Sequence, residues 1–267
     1  MAATLAVERN NRMALAGSAD WLKATRKFWD TDSAFEAKYR RILSDPQIDA
    51  ATDGAVLQRL WEKRTEEELP YLLEGIPLRR DWTSLEIGCG IGRLLRPIAA
   101  RCQRVIGIDI SESMVALAKE ELRDVPGVEV YANDGRRFPF VDRVSVDWVY
   151  SHLAFQHMTL PEVVESNLAE CARVLRPGGY LRIQTWREAP VPLSERLKNI
   201  ARAWVGVESY HGPRRWTWAP GRDVRFGGVT FHPRPWRRLL KSHGFRVLSL
   251  QCGVGHDYWM WCTCRKV

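Results

Sequence analysis

The segment best suited to chemistry is a glycine-rich loop that follows a short apolar run. Residues 85–93 read Leu-Glu-Ile-Gly-Cys-Gly-Ile-Gly-Arg, and a helical pattern comes next. Gly88, Gly90 and Gly92 let the backbone turn sharply and approach a ligand, and the helix N-terminus offers free N–H groups. This pattern predicts a nucleotide-cofactor site. A dinucleotide fingerprint would have its third glycine where Arg93 stands, and no G-K-[ST] follows, which argues against a dehydrogenase and an ATP-binding P-loop.

Acidic residues end the next two predicted strands. Asp109 closes the apolar run that starts at Val105, and Asp134 follows the run that ends near Tyr131. A carboxylate at the end of the second strand is placed to accept hydrogen bonds from both ribose hydroxyls, and one after the third strand can take an adenine amino group. The fourth run, 147–152, is predicted to lie beside the first strand. Its end would face the reactive part of the cofactor.

The elements that position these residues follow an α/β pattern. From residue 82, short apolar runs alternate with amphipathic helices, which implies a parallel sheet with helices on both faces. We predict a Rossmann-like, doubly wound, mostly parallel seven-stranded sheet with N-terminal helices and a lid insertion. The predicted divisions are an N-terminal helical cap region (1–80), a cofactor-binding core (81–189), the lid or substrate insertion (190–228), and a C-terminal helix with the last two strands (229–267).

Composition limits the class of protein. No run reaches the roughly 18 to 20 apolar residues that a membrane span needs, and charges interrupt the start too early for a secretory signal. The six cysteines include no C-x-x-C, so we expect free thiols in the cytoplasm and no zinc site. The net charge of +8 is spread along the chain and selects no partner. The twelve tryptophans either fill a core or line a pocket, and their number does not decide which.

Four motifs in this order resemble those of class I S-adenosylmethionine-dependent methyltransferases of the small-molecule type. They are E/D-x-G-x-G-x-G at 86–92, D-x-S-x-x-M at 109–114, D-x-x-x-x-P-F at 134–140 and R-P-G-G at 176–179. The resemblance covers residues 82–188 closely and 233–265 loosely. It implies S-adenosylmethionine as cofactor, S-adenosylhomocysteine as product and methyl transfer as the reaction.

The resemblance also implies roles for individual residues. Gly88 and its neighbours would hold the methionine moiety, and Arg93 would pair with its carboxylate. Asp109 would bind the ribose, Met114 would pack near the adenine, and Ser151 would lie near the sulfonium. The complete cofactor set is Glu86, Gly88, Gly90, Gly92, Arg93, Asp109, Ile110, Met114, Asn133, Asp134, Gly135 and Ser151.

Transfer to a hydroxyl needs a base, and imidazole titrates near neutrality. His152 and His157 are the catalytic candidates, while His232 and His256 are expected at the surface. Plant-type O-methyltransferases carry a base histidine where this chain has Gln156, so the base cannot simply be carried over. No H-x-x-x-H or clustered acidic set is present in the cleft elements, so we expect no metal, and activity that survives EDTA.

The sequence leads to one function and two alternatives. We expect methyl transfer to O or N of a small metabolite that is aromatic or largely apolar. The alternatives are an RNA or nucleobase methyltransferase, against which the lack of D/N-P-P-Y/F counts, and a non-catalytic S-adenosylmethionine-binding regulator. A homodimer is compatible with the sequence, and no membrane partner is expected. The predicted substrate-binding residues, all in the insertion, are Trp204, Tyr210, His211, Trp216 and Trp218.

Overall fold

The computed structural model describes residues 22–30, 54–158, 160–187, 217–219, 228–255 and 257–267. Its strands are β1 (Thr83–Ile87), β2 (Arg104–Asp109), β3 (Val128–Ala132), β4 (Val146–Ser151), β5 (Leu175–Trp186), β6 (Thr217–Ala219), β7 (Gly228–Thr230), β8 (Phe245–Cys252) and β9 (Trp259–Lys266). Its α-helices are α1 (22–30), α2 (Gly54–Leu73), α3 (Leu95–Ala99), α4 (Glu112–Glu121), α5 (Pro161–Val174) and α6 (Pro233–Ser242), and a 3₁₀ helix spans Phe155–His157.

A seven-stranded sheet in the order β3-β2-β1-β4-β5-β9-β8 forms the centre of the fold. The first five strands of this order pair in parallel, while β9 pairs antiparallel with both β5 and β8. This topology confirms the predicted Rossmann-like, mostly parallel sheet. Because β1, β2 and β4 run in the same direction, their carboxyl ends lie next to one another at the same end of the sheet.

Apolar clusters cover both faces of the sheet. On one face, Ile106 and Ile183 pack with Leu168 of α5 and Trp236 of α6. On the other, strand residues pack against helices of the first half of the chain, among them Leu72 of α2, Leu95 of α3 and Ala118 of α4. Three of the tryptophans, Trp148, Trp236 and Trp261, are fully buried, so these three fill the core.

Much of the predicted lid lies outside the described residues. Within the interval 190–228 the structure describes a short strand, β6, paired antiparallel with β7, where the sequence pattern had indicated no strand. The division into four regions stays a prediction. All six cysteines are free thiols, as expected. In the described ranges, no helix has the length and apolar character needed to cross a membrane.

Candidate functional site

A cavity of about 160 Å³ lies where β1, β2 and β4 end. Its walls combine the glycine loop, the end of β2, the segment after β3 and the segment after β4. Most of the residues predicted from the sequence meet here. They are Glu86, Gly88, Gly90, Arg93, Asp109, Ile110, Met114, Asn133, Gly135, His152 and His157.

Asp134 is placed away from this cavity. Its Oδ1 accepts hydrogen bonds from the backbone N–H groups of Arg136 and Arg137, and its Oδ2 accepts from the Arg137 guanidinium at 2.9 Å. Its side chain lines a separate surface cavity. Asn133 and Gly135, on either side of Asp134, line the main cavity, and the contact of Asp134 with an adenine amino group stays a prediction.

Gly92 and Ser151 also stay outside the cavity wall. A Cβ added to Gly92 would lie 2.4 Å from Cδ1 of Leu122, so this glycine lets the loop approach the end of α4. The Ser151 hydroxyl is fully buried and donates to the carbonyl oxygen of Ile87 at 2.8 Å. Both residues hold β1, β4 and α4 together, and the structure does not bring the Ser151 hydroxyl to the cavity.

The glycine loop is held in place by close packing of Gly88 against Ala154 and by the carboxylate of Asp109. Gly88 has φ +73°, and an added Cβ there would lie 2.2 Å from the Cβ of Ala154. The carboxylate of Asp109 accepts from the N–H of Gly90 at 2.8 Å and from the N–H of Ser111 at 2.9 Å. Asp109 therefore ties the loop to the start of α4 and keeps its carboxylate at the cavity.

Helix α1 covers part of the cavity, which sequence analysis did not foresee. Its residues Leu22, Thr25 and Trp29 are part of the cavity wall. At the end of the helix, Asp30 accepts a hydrogen bond from the Ser111 hydroxyl at 2.6 Å. The same serine caps α4 by accepting from the N–H of Met114. The sequence predicted helices in this N-terminal region, but it did not say which surface they cover.

Glu68 of α2 joins two cavity residues in a buried ionic cluster. It accepts from Nη2 of Arg93 at 2.6 Å and bonds Nε2 of His152 at 2.8 Å. Burial raises the pKa of Glu68, but Arg93 and His152 more than offset this and bring it to about 2. Burial lowers the pKa of His152. The ring is therefore neutral and donates its Nε2–H to the ionised carboxylate, which leaves the lone pair on Nδ1.

Several residues that line the cavity have a buried polar atom with no hydrogen-bond partner within the described chain, and these atoms include Glu86 Oε2, Arg93 Nη1 and His152 Nδ1. Burial raises the pKa of Glu86 to about 8, although Arg93 and Tyr150 act in the opposite direction. Buried polar atoms without a partner are costly, so these atoms are suited to bind a polar ligand. One cationic donor beside two acceptors complements a ligand that carries a carboxylate and an ammonium group.

The remaining predicted residues differ in whether the structure describes them. Trp204, Tyr210, His211 and Trp216 lie outside the described residues, and of Trp218 only the backbone in β6 is described. His256 also lies outside the described residues, while exposed His232 caps α6 by accepting from the N–H of Arg234. Their predicted roles therefore stay predictions.

Comparisons with known proteins fit this geometry. The model of the "Methyltransferase domain" family matches residues 85–183. A malonyl-[acyl-carrier protein] O-methyltransferase from Marinomonas sp. (strain MWYL1) is 31% identical over 53% of this chain and 49% of that protein. A ubiquinone biosynthesis O-methyltransferase from Maricaulis maris (strain MCS10) is 27% identical over 94% of this chain and 82% of that protein. A crystal structure of a SAM-dependent methyltransferase from Aquifex aeolicus has a TM-score of 0.54 at 20% identity, covering 88% of this chain and 100% of that one.

Residues 85–183 are a methyltransferase domain, and the chain has the class I S-adenosylmethionine-dependent methyltransferase fold. This confirms the resemblance drawn from the four motifs. S-adenosylmethionine is the cofactor of that class. The chain spans about half the length of curated relatives such as the Marinomonas protein, 49% in that case.

Proposed function

We propose that the protein transfers a methyl group from S-adenosylmethionine to an oxygen or nitrogen atom of a small metabolite. One observation carries the proposal: Arg93, Glu86 and His152 line the cavity, and each has a buried polar atom without a hydrogen-bond partner in the described chain. The methionine end of the cofactor has the matching carboxylate and ammonium group. The curated relatives named above, both O-methyltransferases by name, support a small-molecule acceptor.

The residues around the cavity would hold the cofactor at its two ends. Arg93, already oriented by Glu68, would donate Nη1 to the carboxylate, while Glu86 and His152 would accept from the ammonium. At the other end, the Asp109 carboxylate would accept from ribose hydroxyls. In this arrangement His152 is a binding residue for the cofactor, which revises its predicted role as a base.

When bound, S-adenosylmethionine supplies an electrophilic methyl group on a sulfonium, and transfer to the acceptor is an in-line displacement that depends on alignment. The chain contributes alignment and a dry site. Trp29 of α1 and Met158 after the 3₁₀ helix form apolar parts of the cavity wall. Exclusion of water by such walls strengthens the electrostatic contacts inside.

The reaction is tested by mass spectrometry. The protein is incubated with S-adenosylmethionine and, in separate samples, with host metabolite extract and with total RNA. We expect a metabolite that gains the mass of one CH₂ group, together with S-adenosylhomocysteine. Methylated nucleosides without a methylated metabolite would favour the RNA alternative, and tight cofactor binding without any methylated product would favour a non-catalytic regulator.

Exchange of Asp109 for Asn tests the cofactor site. The variant loses a charge-assisted contact of about 1.5 to 3 kcal/mol, so its affinity for S-adenosylhomocysteine should fall roughly ten- to a hundredfold by calorimetry. Asp134→Asn is the matched control, since that carboxylate lies outside the cavity and is held by Arg137. An equal loss of affinity in both variants would restore Asp134 to the site, and unchanged affinity in Asp109→Asn would refute the ribose contact.

A further inference from the structure

Three hydrogen bonds link the backbone after β4 to the ring of His157. The N–H of Leu153 donates to Oε1 of Gln184 at 2.9 Å. Gln184 donates from Nε2 to Oε1 of Gln156 at 3.1 Å, and Nε2 of Gln156 lies 3.2 Å from Nε2 of His157. Gln184 is fully buried and Gln156 is 7% exposed. We call this chain of hydrogen bonds, from Leu153 through Gln184 and Gln156 to His157, the relay. Its polar atoms are bonded to one another inside the protein.

The direction of the relay is fixed at its first bond. A backbone N–H can only donate, so the Gln184 amide must turn its oxygen toward Leu153 and its NH₂ toward Gln156. Gln156 must then turn its oxygen toward Gln184 and its NH₂ toward the ring. Nε2 of His157, at the end of the relay, therefore faces an N–H donor of Gln156. It must itself be the acceptor, because two N–H groups facing each other would leave both without a partner.

We propose that this relay holds His157 as a neutral imidazole with its proton on Nδ1, so that His157 is a positioning residue and not the proton acceptor of the reaction. The lone pair of Nε2 is engaged by Gln156, and Nδ1 already carries the proton. No lone pair of the ring is then free to remove a proton from an acceptor. The role in methyl transfer rests on the proposed function, whereas the tautomer does not.

The surroundings of His157 support a fixed ring. The residue lies in the 3₁₀ helix at the cavity. Its ring makes edge contacts with the rings of Trp29 and Trp186, and the ring centroids are 5.6 Å and 6.1 Å apart, respectively. The anchor of the relay is also unusual, because Leu153 has φ +62°. A non-glycine residue in the left-handed region is strained and persists when its surroundings hold it there. The bond from its N–H to Gln184 is one such restraint.

The inference constrains how the transfer handles protons. A lone pair of the acceptor atom forms the new bond to the methyl carbon, and the carbon–sulfur bonding pair returns to sulfur, which becomes a neutral thioether. Any proton that the acceptor atom carries leaves by a route other than His157. Acceptors that have already lost this proton, such as carboxylates, need no such route.

Nitrogen NMR of the histidine rings tests the tautomer directly. Protein labelled with ¹⁵N-histidine is recorded in long-range ¹H–¹⁵N spectra at neutral pH, and the His157 signals are assigned by their loss in His157→Gln. We expect a protonated Nδ1 and an unprotonated Nε2. A proton on Nε2, or a doubly protonated ring, would overturn the inference. The spectrum needs neither cofactor nor acceptor, so failure of the proposed function would not affect its outcome.

A second arm tests whether Gln156 sets the tautomer. In Gln156→Glu the ring faces an acceptor in place of a donor, so a proton should appear on Nε2. Gln103→Glu adds the same charge at an exposed position and should leave the His157 signals as in wild type. A wild-type pattern in a folded Gln156→Glu would show that the relay does not control the ring. If that variant does not fold, the wild-type spectrum alone decides the tautomer.

Discussion

Replacement of Gly88 by alanine is expected to weaken cofactor binding by on the order of a hundredfold. The new Cβ would lie 2.2 Å from the Cβ of Ala154, a short and rigid side chain, so the glycine loop and the segment after β4 must move apart. Overpacking of this kind costs about 1–3 kcal/mol, and the left-handed backbone at φ +73° adds about 1–2 kcal/mol for a residue with a Cβ. A displacement of about 1 Å at a binding site can cost on the order of a hundredfold.

Gly75→Ala separates the two causes. Gly75 has nearly the same backbone, φ +72°, but an added Cβ would meet nothing within 4 Å. In urea unfolding, the free energy of unfolding of this variant should fall only by the cost of a Cβ on a left-handed backbone, about 1–2 kcal/mol. The variant should bind S-adenosylhomocysteine as wild type does. If Gly88→Ala binds the cofactor as tightly as Gly75→Ala, the close approach of the loop to Ala154 does not form the site.

Exchange of Glu86 for Gln should remove a pH dependence of stability. Burial raises the pKa of Glu86 from 4.5 to about 8. Between these values the folded protein keeps a proton that the unfolded chain has lost, so this group makes stability fall as pH rises from 4.5 to 8. Each pKa unit corresponds to about 1.4 kcal/mol, so the effect reaches several kcal/mol. The measurement is urea unfolding without cofactor. We expect the free energy of unfolding of Glu86→Gln to rise relative to that of wild type between pH 4.5 and 8. Above pH 8 the difference should stay constant.

The same carboxyl should release a proton when the cofactor binds. At pH 7 the buried carboxyl is mostly protonated, and an ammonium group beside it favours the ionised form. Calorimetry in two buffers of different ionisation enthalpy should therefore report release of about one proton in wild type and almost none in Glu86→Gln. Glu121→Gln, an exposed carboxyl in α4, is the control and should behave as wild type in both measurements. Equal proton release by Glu86→Gln and wild type would mean that another group titrates.

The sequence predicted the sheet and the part of the site that lies on it. Alternation of apolar runs and helical stripes indicated parallel strands, and the residues that end β1 and β2 had to meet because parallel strands share an edge. Gly88, Asp109 and their neighbours therefore line the cavity as placed from local pattern. At Asp134 the structure adds a local contact that the sequence pattern did not contain. The position after β3 was right, but a turn of a few residues turned its carboxylate toward Arg137, and local hydrogen bonds of that kind leave no period in a sequence.

By itself, then, the sequence determined the fold class, the position of β4 beside β1 and, through the family resemblance, the cofactor. Only the tertiary structure decided which groups that are distant in the sequence form hydrogen bonds with one another. Glu68 reaches Arg93 and His152 because α2 packs on the sheet, and Gln184 reaches Gln156 because β5 lies beside β4. The physical reason is that periodicity encodes which face of an element is buried, whereas protonation and tautomer depend on the partners that packing brings there.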